Sequence, residues 1–204
     1  MKYIHKLMIK LGIFIIPNFY LRNRILNLKK KVKHQFGDQT YLAHLPHCTI
    51  YVLKTTDKNF KIIKKIKNIY LNYKKIFFIE KTDVFKNDPI TKKNTYIIKI
   101  KKNNFLKNLQ KVILAKLSKY ALKNNENYKN KVMKDNNKLY GYPFVKVNWK
   151  PHFTIASIST NKDQFNFNKS FKKLHINKKQ ILNSVYIYQI KKDKHKFLCK
   201  INIK

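Results

Sequence analysis

Pro46-His47-Cys48-Thr49-Ile50 and Pro151-His152-Phe153-Thr154-Ile155 are two copies of one pattern, placed in the two halves of a 204-residue chain. Read as strands, each sends its His and Thr to one face and the residues between and after them to the other. His47 and Thr49 then stand side by side, as do His152 and Thr154, while Phe153 and Ile155 anchor their strand in the core. Composition alone gives about 0.3 His-x-Thr pairs in a chain with 7 His. Two pairs, each preceded by one of only 5 prolines and followed by Ile, therefore point to a duplicated device.

That device suits phosphoester chemistry. Breaking a phosphodiester in line needs a base to take a proton from the attacking oxygen and an acid to protonate the leaving one. Imidazole is the side chain that can be neutral in one copy and protonated in the other near neutral pH. Each Thr hydroxyl can donate to a non-bridging phosphate oxygen and hold the phosphorus between the two rings. His47 and His152 are thus the candidate catalytic residues, Thr49 and Thr154 the candidate phosphate-binding residues, and the chemistry requires no metal or cofactor.

Working outward from the first motif, residues 11–16 read as a buried strand that Pro17-Asn18 ends. Leu21, Ile25, Leu28 and Val32 then write a helical stripe, opposite Lys29, Lys30, Lys31 and Lys33, that closes near Gly37. Beyond the motif strand, Asp57 is placed to cap a helix whose stripe runs through Ile62 or Ile63, Ile66, Ile69 or Tyr70, and Tyr73. Strands are expected from Ile76 and from Thr95, joined around Asn87-Asp88-Pro89. Phe105, Leu109, Val112 or Ile113, Leu117 and Tyr120 predict a helix over 104–122. The Lys/Asn-rich segment 123–138 shows no period and reads as a solvated, mobile connection. After the second motif, Thr160 and Asp163 are set to begin a short helix, and strands from Ile181 and Lys196 end the chain. Each half therefore holds a Pro-His-x-Thr-Ile strand, a helix and further strand. The expected fold is α+β, one 1–204 domain of two related lobes.

The formal charge is +38, from 47 Lys and Arg against 9 Asp and Glu, with Arg22 and Arg24 the only arginines. Joint enrichment of Lys, Asn, Ile, Phe and Tyr with 3 Gly carries the mark of coding bias, yet so few carboxylates leave a surface that attracts polyanions. RNA, DNA and an anionic membrane are all admissible on charge alone. Scarce arginine argues for backbone contacts over bidentate base reading. Hydrophobic residues at 44% and aromatics at 14% exclude a disordered chain. Cys48 and Cys199 form neither a CxxC pair nor a disulfide framework and read as structural thiols of a reducing compartment. Lys10 leaves 11–16 as an apolar run too short to span a bilayer, with no cleavage site after it, so a cytoplasmic protein without membrane association is expected.

The paired motifs PHCTI and PHFTI resemble the HxTx signature of the two-histidine (2H) phosphoesterases, which include LigT-type RNA 2′,3′-cyclic phosphodiesterases and 2′-5′ RNA ligase-like proteins. The resemblance implies a bilobal, pseudo-duplicated α+β fold, with two antiparallel sheets facing a central cleft and helices outside. It implies that His47 is the proton donor to the leaving oxygen and His152 the proton acceptor that activates water. With the positive charge, it implies hydrolysis of a 2′,3′-cyclic phosphate at an RNA or oligonucleotide end to a 2′-phosphate, by a monomer. The same motifs also suit 2′-5′ cleavage or ligation of RNA, and a non-catalytic RNA-binding module would use the same cleft.

Tyr140, Tyr142, Phe144 and Trp149 sit near the second motif, and rings beside a basic cleft can stack on an unpaired base. Core packing competes for the same residues, and Tyr142 and Trp149 are the candidates retained. His5, His34, His44, His175 and His195 lack a Thr at +2 and read as surface or structural, with His44 a candidate for the cleft mouth. Clustered partners for a zinc site are missing from the sequence around them.

Overall fold

The computed structural model describes residues 8–123, 126, 128, 130–159, 164–174, 176, 179–191 and 194–204. Its strands are β1 (Met8–Ile15), β2 (Cys48–Thr56), β3 (Asn68–Ile69), β4 (Ile76–Phe85), β5 (Asn94–Lys101), β6 (His152–Ile158), β7 (Lys179–Ile181), β8 (Ser184–Lys191) and β9 (Lys194–Ile203). Its α-helices are α1 (Phe19–Phe36), α2 (Asp57–Ile63), α3 (Asn104–Leu117), α4 (Lys131–Tyr140) and α5 (Gln164–Lys172). Among the described residues the strands form two sheets, ordered β2-β1-β8-β9-β3 and β6-β5-β4-β7, antiparallel except where β3 pairs with β9. This is the expected bilobal α+β architecture. Both motif strands are edge strands.

Local chemistry explains the main elements. Asn18 caps α1 by accepting from the Leu21 N–H at 2.9 Å, and Gly37, at φ +68°, ends it with its N–H on the Lys33 carbonyl. Leu21, Ile25, Leu28 and Val32 are its buried stripe. Asn103 caps α3 in the same way, and that helix buries Phe105, Leu109, Ile113 and Leu117. One continuous hydrophobic core runs through both sheets, from Leu11 and Ile13 to Ile98, Phe153 and Val185. The helices help to join the lobes: α1, which follows a strand of the five-stranded sheet, packs on β6 of the other, and α3 touches both β2 and β4.

The lobes are not the two halves of the chain. The first motif's sheet takes β8 and β9 from the C-terminal end, and the second motif's sheet takes β4 and β5 from the middle. The chain changes sheet just after Ile181, where β7 has paired with β4 and β8 then joins β1.

Two local expectations need correction. The helix after β2 stops at Ile63, capped by Thr56 and not Asp57, and Asn68–Ile69 instead completes the edge of the sheet beside β9. Ile69 is buried there, so its place in the apolar pattern reflects strand packing. The second half of segment 123–138 lies largely in α4, whose Asn136 is buried and donates to the carbonyls of Pro143 at 3.3 Å and Val145 at 3.1 Å. Residues that dilute the hydrophobic pattern here satisfy buried carbonyls. The helix start assigned to Thr160 and Asp163 lies outside the described residues. Among the described residues no helix is long and apolar enough to cross a membrane.

Candidate active site

The two motifs share a construction finer than their sequence pattern. Against β1, Phe14 pairs with Thr49 and Ile13 with Tyr51, so Ile50 is an extra residue bulged out of β2. Against β5, Ile97 pairs with Thr154 and Tyr96 with Ala156, which makes Ile155 the bulged residue of β6. The bulge thus falls at the same motif position in both strands, where it twists the strand just past the Thr.

Each histidine is also held identically. The Nδ1 of His47 lies 2.6 Å from the Leu45 carbonyl, and the Nδ1 of His152 lies 2.6 Å from the Lys150 carbonyl, both two residues upstream. A carbonyl oxygen can only accept, so Nδ1 carries the hydrogen, and the neutral ring keeps its lone pair on Nε2. Nε2 is then the atom that takes or gives the exchanging proton.

The motif strands meet. Trp149 donates its indole N–H to the Thr49 carbonyl at 2.8 Å, and the His152 main-chain N–H interacts with the Cys48 thiol. Buried Gln110 of α3 donates to the Ile50 carbonyl at 3.0 Å and accepts from the Lys146 N–H at 2.9 Å. Lys102 adds a bond to the Trp149 carbonyl at 3.1 Å. These contacts bring the two motif strands together at one junction between the sheets, with Thr49, Thr154, His47 and His152 each partly exposed. Cys48 is buried and its thiol is pushed up to about 12, which keeps it protonated and inert.

Trp149 is only 4% exposed, so the expectation that it stacks on a base gives way to a different part: its N–H ties the second motif's approach to the first motif's strand. Tyr142 is half-buried, with its ring packed against Tyr51 and Phe144.

The surroundings of the two histidines differ. Phe14 packs on His47 with ring centroids 4.0 Å apart and the planes tilted by 31°, and His195 of β9 meets the His47 ring edge-on at 4.9 Å. His44 in turn packs on His195 at 4.8 Å. Burial, with the nearby charges of His195, His44 and Lys29, drives His47 down to about 3; the carbonyl of Leu45 opposes this. His152 meets the edge of Phe85 at 5.0 Å, and its proton affinity is also lowered by burial, but the Lys150 carbonyl and the charge of Asp88 pull it back up. In the free site, His152 is therefore the histidine that holds a proton more readily.

Phe14, Lys29, His44 and His195 complete this environment, and periodicity could not have found it. Lys29 sits on the helix face assigned to solvent, yet it is 5% exposed and donates to the carbonyls of Tyr41 and Leu42; burial lowers its amine to about 8. His195 lies far from His47 in the chain and carries no spacing signal. His44 packs on His195, one ring away from His47. Among the described residues no three His, Cys, Asp or Glu side chains gather as a metal site.

No protein-family model matches the sequence, and no curated protein matches it either. Solved structures do match along nearly the whole chain. E. coli LigT complexed with 3′-AMP superposes with a TM-score of 0.54 at 10% identity, covering 97% of this chain and 99% of that one. E. coli LigT complexed with ATP matches with a TM-score of 0.53 at 9% identity, covering 97% and 99%. TT0787 of Thermus thermophilus matches with a TM-score of 0.57 at 13% identity, covering 95% and 97%. At these identities it is the fold that is shared, and the chain has the bilobal, pseudo-duplicated α+β fold of the LigT structures.

Proposed function

We propose that this chain is a phosphodiesterase that opens a 2′,3′-cyclic phosphate at an RNA end, leaving a 2′-phosphate and a free 3′-hydroxyl. The observation that carries the reading is the twofold construction of the site. Two bulged edge strands from different sheets each present a histidine locked through Nδ1, with Nε2 left for the phosphate and a Thr hydroxyl beside it. Such a pair can serve opposite sides of one phosphorus, as in-line displacement requires.

In the proposed step, one imidazole takes a proton from water as the water oxygen attacks phosphorus. The bond from phosphorus to the 3′-oxygen breaks, and the second imidazole delivers its proton to that oxygen. Thr49 and Thr154 donate to the non-bridging oxygens as charge builds there. The motif resemblance gives His47 the donor's part. Burial, with the charges around this site, lowers the proton affinity of His47 further than that of His152 and favours the reverse, with His47 as base and His152 as acid. We adopt that polarity for this chain. Nucleotide complexes of E. coli LigT support a ligand of this class.

Turnover of an oligonucleotide ending in a 2′,3′-cyclic phosphate, with identification of the product, tests the reading. A 2′-phosphate product is expected. Cleavage or joining of 2′-5′ linkages in its place would move the assignment to the ligase-like reaction at the same site.

A further inference from the structure

We propose that His195 and His44 form a second phosphate-binding position beside His47, one that takes the phosphodiester next to the reacting phosphate and so selects a polynucleotide end over a mononucleotide. The proposal rests on reading the His47 and His152 junction as a phosphoester site.

The two residues reach this place from separate parts of the fold. His195 enters on β9, through the pairing of β8 with β9, and also touches Phe14 at 5.3 Å and Tyr188 at 6.5 Å. His44 lies in the segment before Pro46 and packs on Tyr41 at 5.2 Å. With His47 they make a row of three imidazoles spaced 4.9 and 4.8 Å, each partly exposed. A ligand on His47 therefore has a second pair of protonatable rings one step away.

An anion suits that step better than a cation. Imidazoles at this spacing do not gather as a metal site with any third partner among the described residues. Basic groups lie close to the row: Lys29 acts on His47, and Arg22 acts on Tyr188, which touches His195. The Lys29 amine also pins the backbone of Tyr41 and Leu42, fixing the segment that carries His44. A phosphodiester lying along the row can accept charge-assisted hydrogen bonds from protonated rings at His44 and His195.

A groove of about 480 Å³ also runs along α1, lined by Asn23, Asn27, Lys30 and Lys33 with Leu26, Leu42 and Ala43, the last next in sequence to His44. Asp38, the acidic group in its lining, is paired with Lys33 at 2.9 Å. Such a groove can track the backbone of a single strand leading away from the reacting end.

The test compares two ribodinucleotides, both ending in a 3′-phosphate and joined either by a phosphodiester or by an uncharged methylphosphonate. Binding to the full chain is measured by calorimetry. Wild type is expected to bind the phosphodiester about tenfold more tightly, the worth of one charge-assisted contact. His195→Ala and His44→Ala should each reduce that preference to about threefold or less. His195→Gln, which keeps a donor but not the charge, gives the same reading should the Ala variant fail to fold. A Lys107→Glu/Lys111→Glu protein, altered on an exposed face of α3, should keep the full preference. Equal affinity of wild type for both linkages overturns the proposal, as does full preference in the histidine variants or its loss in the α3 control. Because the readout is binding, a protein that shows the preference but turns over no cyclic phosphate would refute the proposed reaction and leave this position standing.

Discussion

Replacing Trp149 by Phe removes one hydrogen bond that joins the lobes and little else, and its effect can be worked out from the structure. The indole N–H donates to the Thr49 carbonyl at 2.8 Å, and the ring is 4% exposed. Loss of the donor leaves a carbonyl with one partner fewer in a place water reaches poorly, at a cost of about 1–3 kcal/mol. The smaller ring leaves a void that adds about 1 kcal/mol. Urea unfolding should therefore show a loss of about 2–4 kcal/mol with an unchanged slope against denaturant. The same bond sets the backbone of Thr49, two residues from His47, so turnover should fall by about tenfold to a hundredfold through kcat, as expected of a reacting group displaced by a fraction of an ångström. A base-stacking Trp149 predicts the opposite pattern, since Phe still stacks: stability near wild type and a modest rise in KM. That pattern would refute the positioning argument.

The other predictions concern the two histidines. A Cβ at Gly12 would lie 2.2 Å from the ring of Phe14, a residue 2% exposed and packed against His47, so Gly12→Ala should cost about 1–3 kcal/mol and lower kcat more than it raises KM; wild-type kcat in the variant would show that Phe14 does not position His47. On a 4-nitrophenyl phosphodiester, whose leaving group needs no acid, His152→Ala should retain turnover that His47→Ala loses; the reverse result would restore the donor role to His47. As the acid, His152 must be protonated, and burial places its proton affinity below the usual imidazole value of about 6.5. The alkaline limb of kcat/KM should then lie below that pH, and Asp88→Asn, by removing the charge that raises His152, should move the limb lower still; an unmoved limb counts against Asp88 acting on His152.

What is legible in the sequence is whatever repeats locally. Leu21, Ile25, Leu28 and Val32 define α1 because a helix buries one stripe, and Asn18 and Gly37 mark its ends with side-chain and backbone chemistry. The two Pro-His-x-Thr-Ile motifs stand out as a pair because alternation alone places His beside Thr in each. Segment 131–140 hides its helix because buried Asn136 and Asn137 serve tertiary carbonyls and contacts, which a hydrophobic period cannot register. Ile69 fits a helical stripe but is buried by pairing with β9, more than a hundred residues away in the chain. The exchange of strands between lobes, the matching bulges at Ile50 and Ile155, and the arrival of His195 beside His47 all depend on long-range pairing. Lys29 gives no signal because a lysine at the edge of an apolar stripe looks solvated until the chain folds its carbonyls onto the amine.

The central claim is that His47 and His152 act as one acid and base pair on a phosphoester. Its most direct test is single-turnover cleavage, in EDTA, of an oligonucleotide ending in a 2′,3′-cyclic phosphate, by wild type, His47→Ala and His152→Ala, each confirmed folded by its melting transition. The account predicts a 2′-phosphate product from wild type and loss of at least about a thousandfold in each variant, consistent with general acid and base contributions of about 10²–10⁴. Turnover within tenfold of wild type in either variant would contradict it.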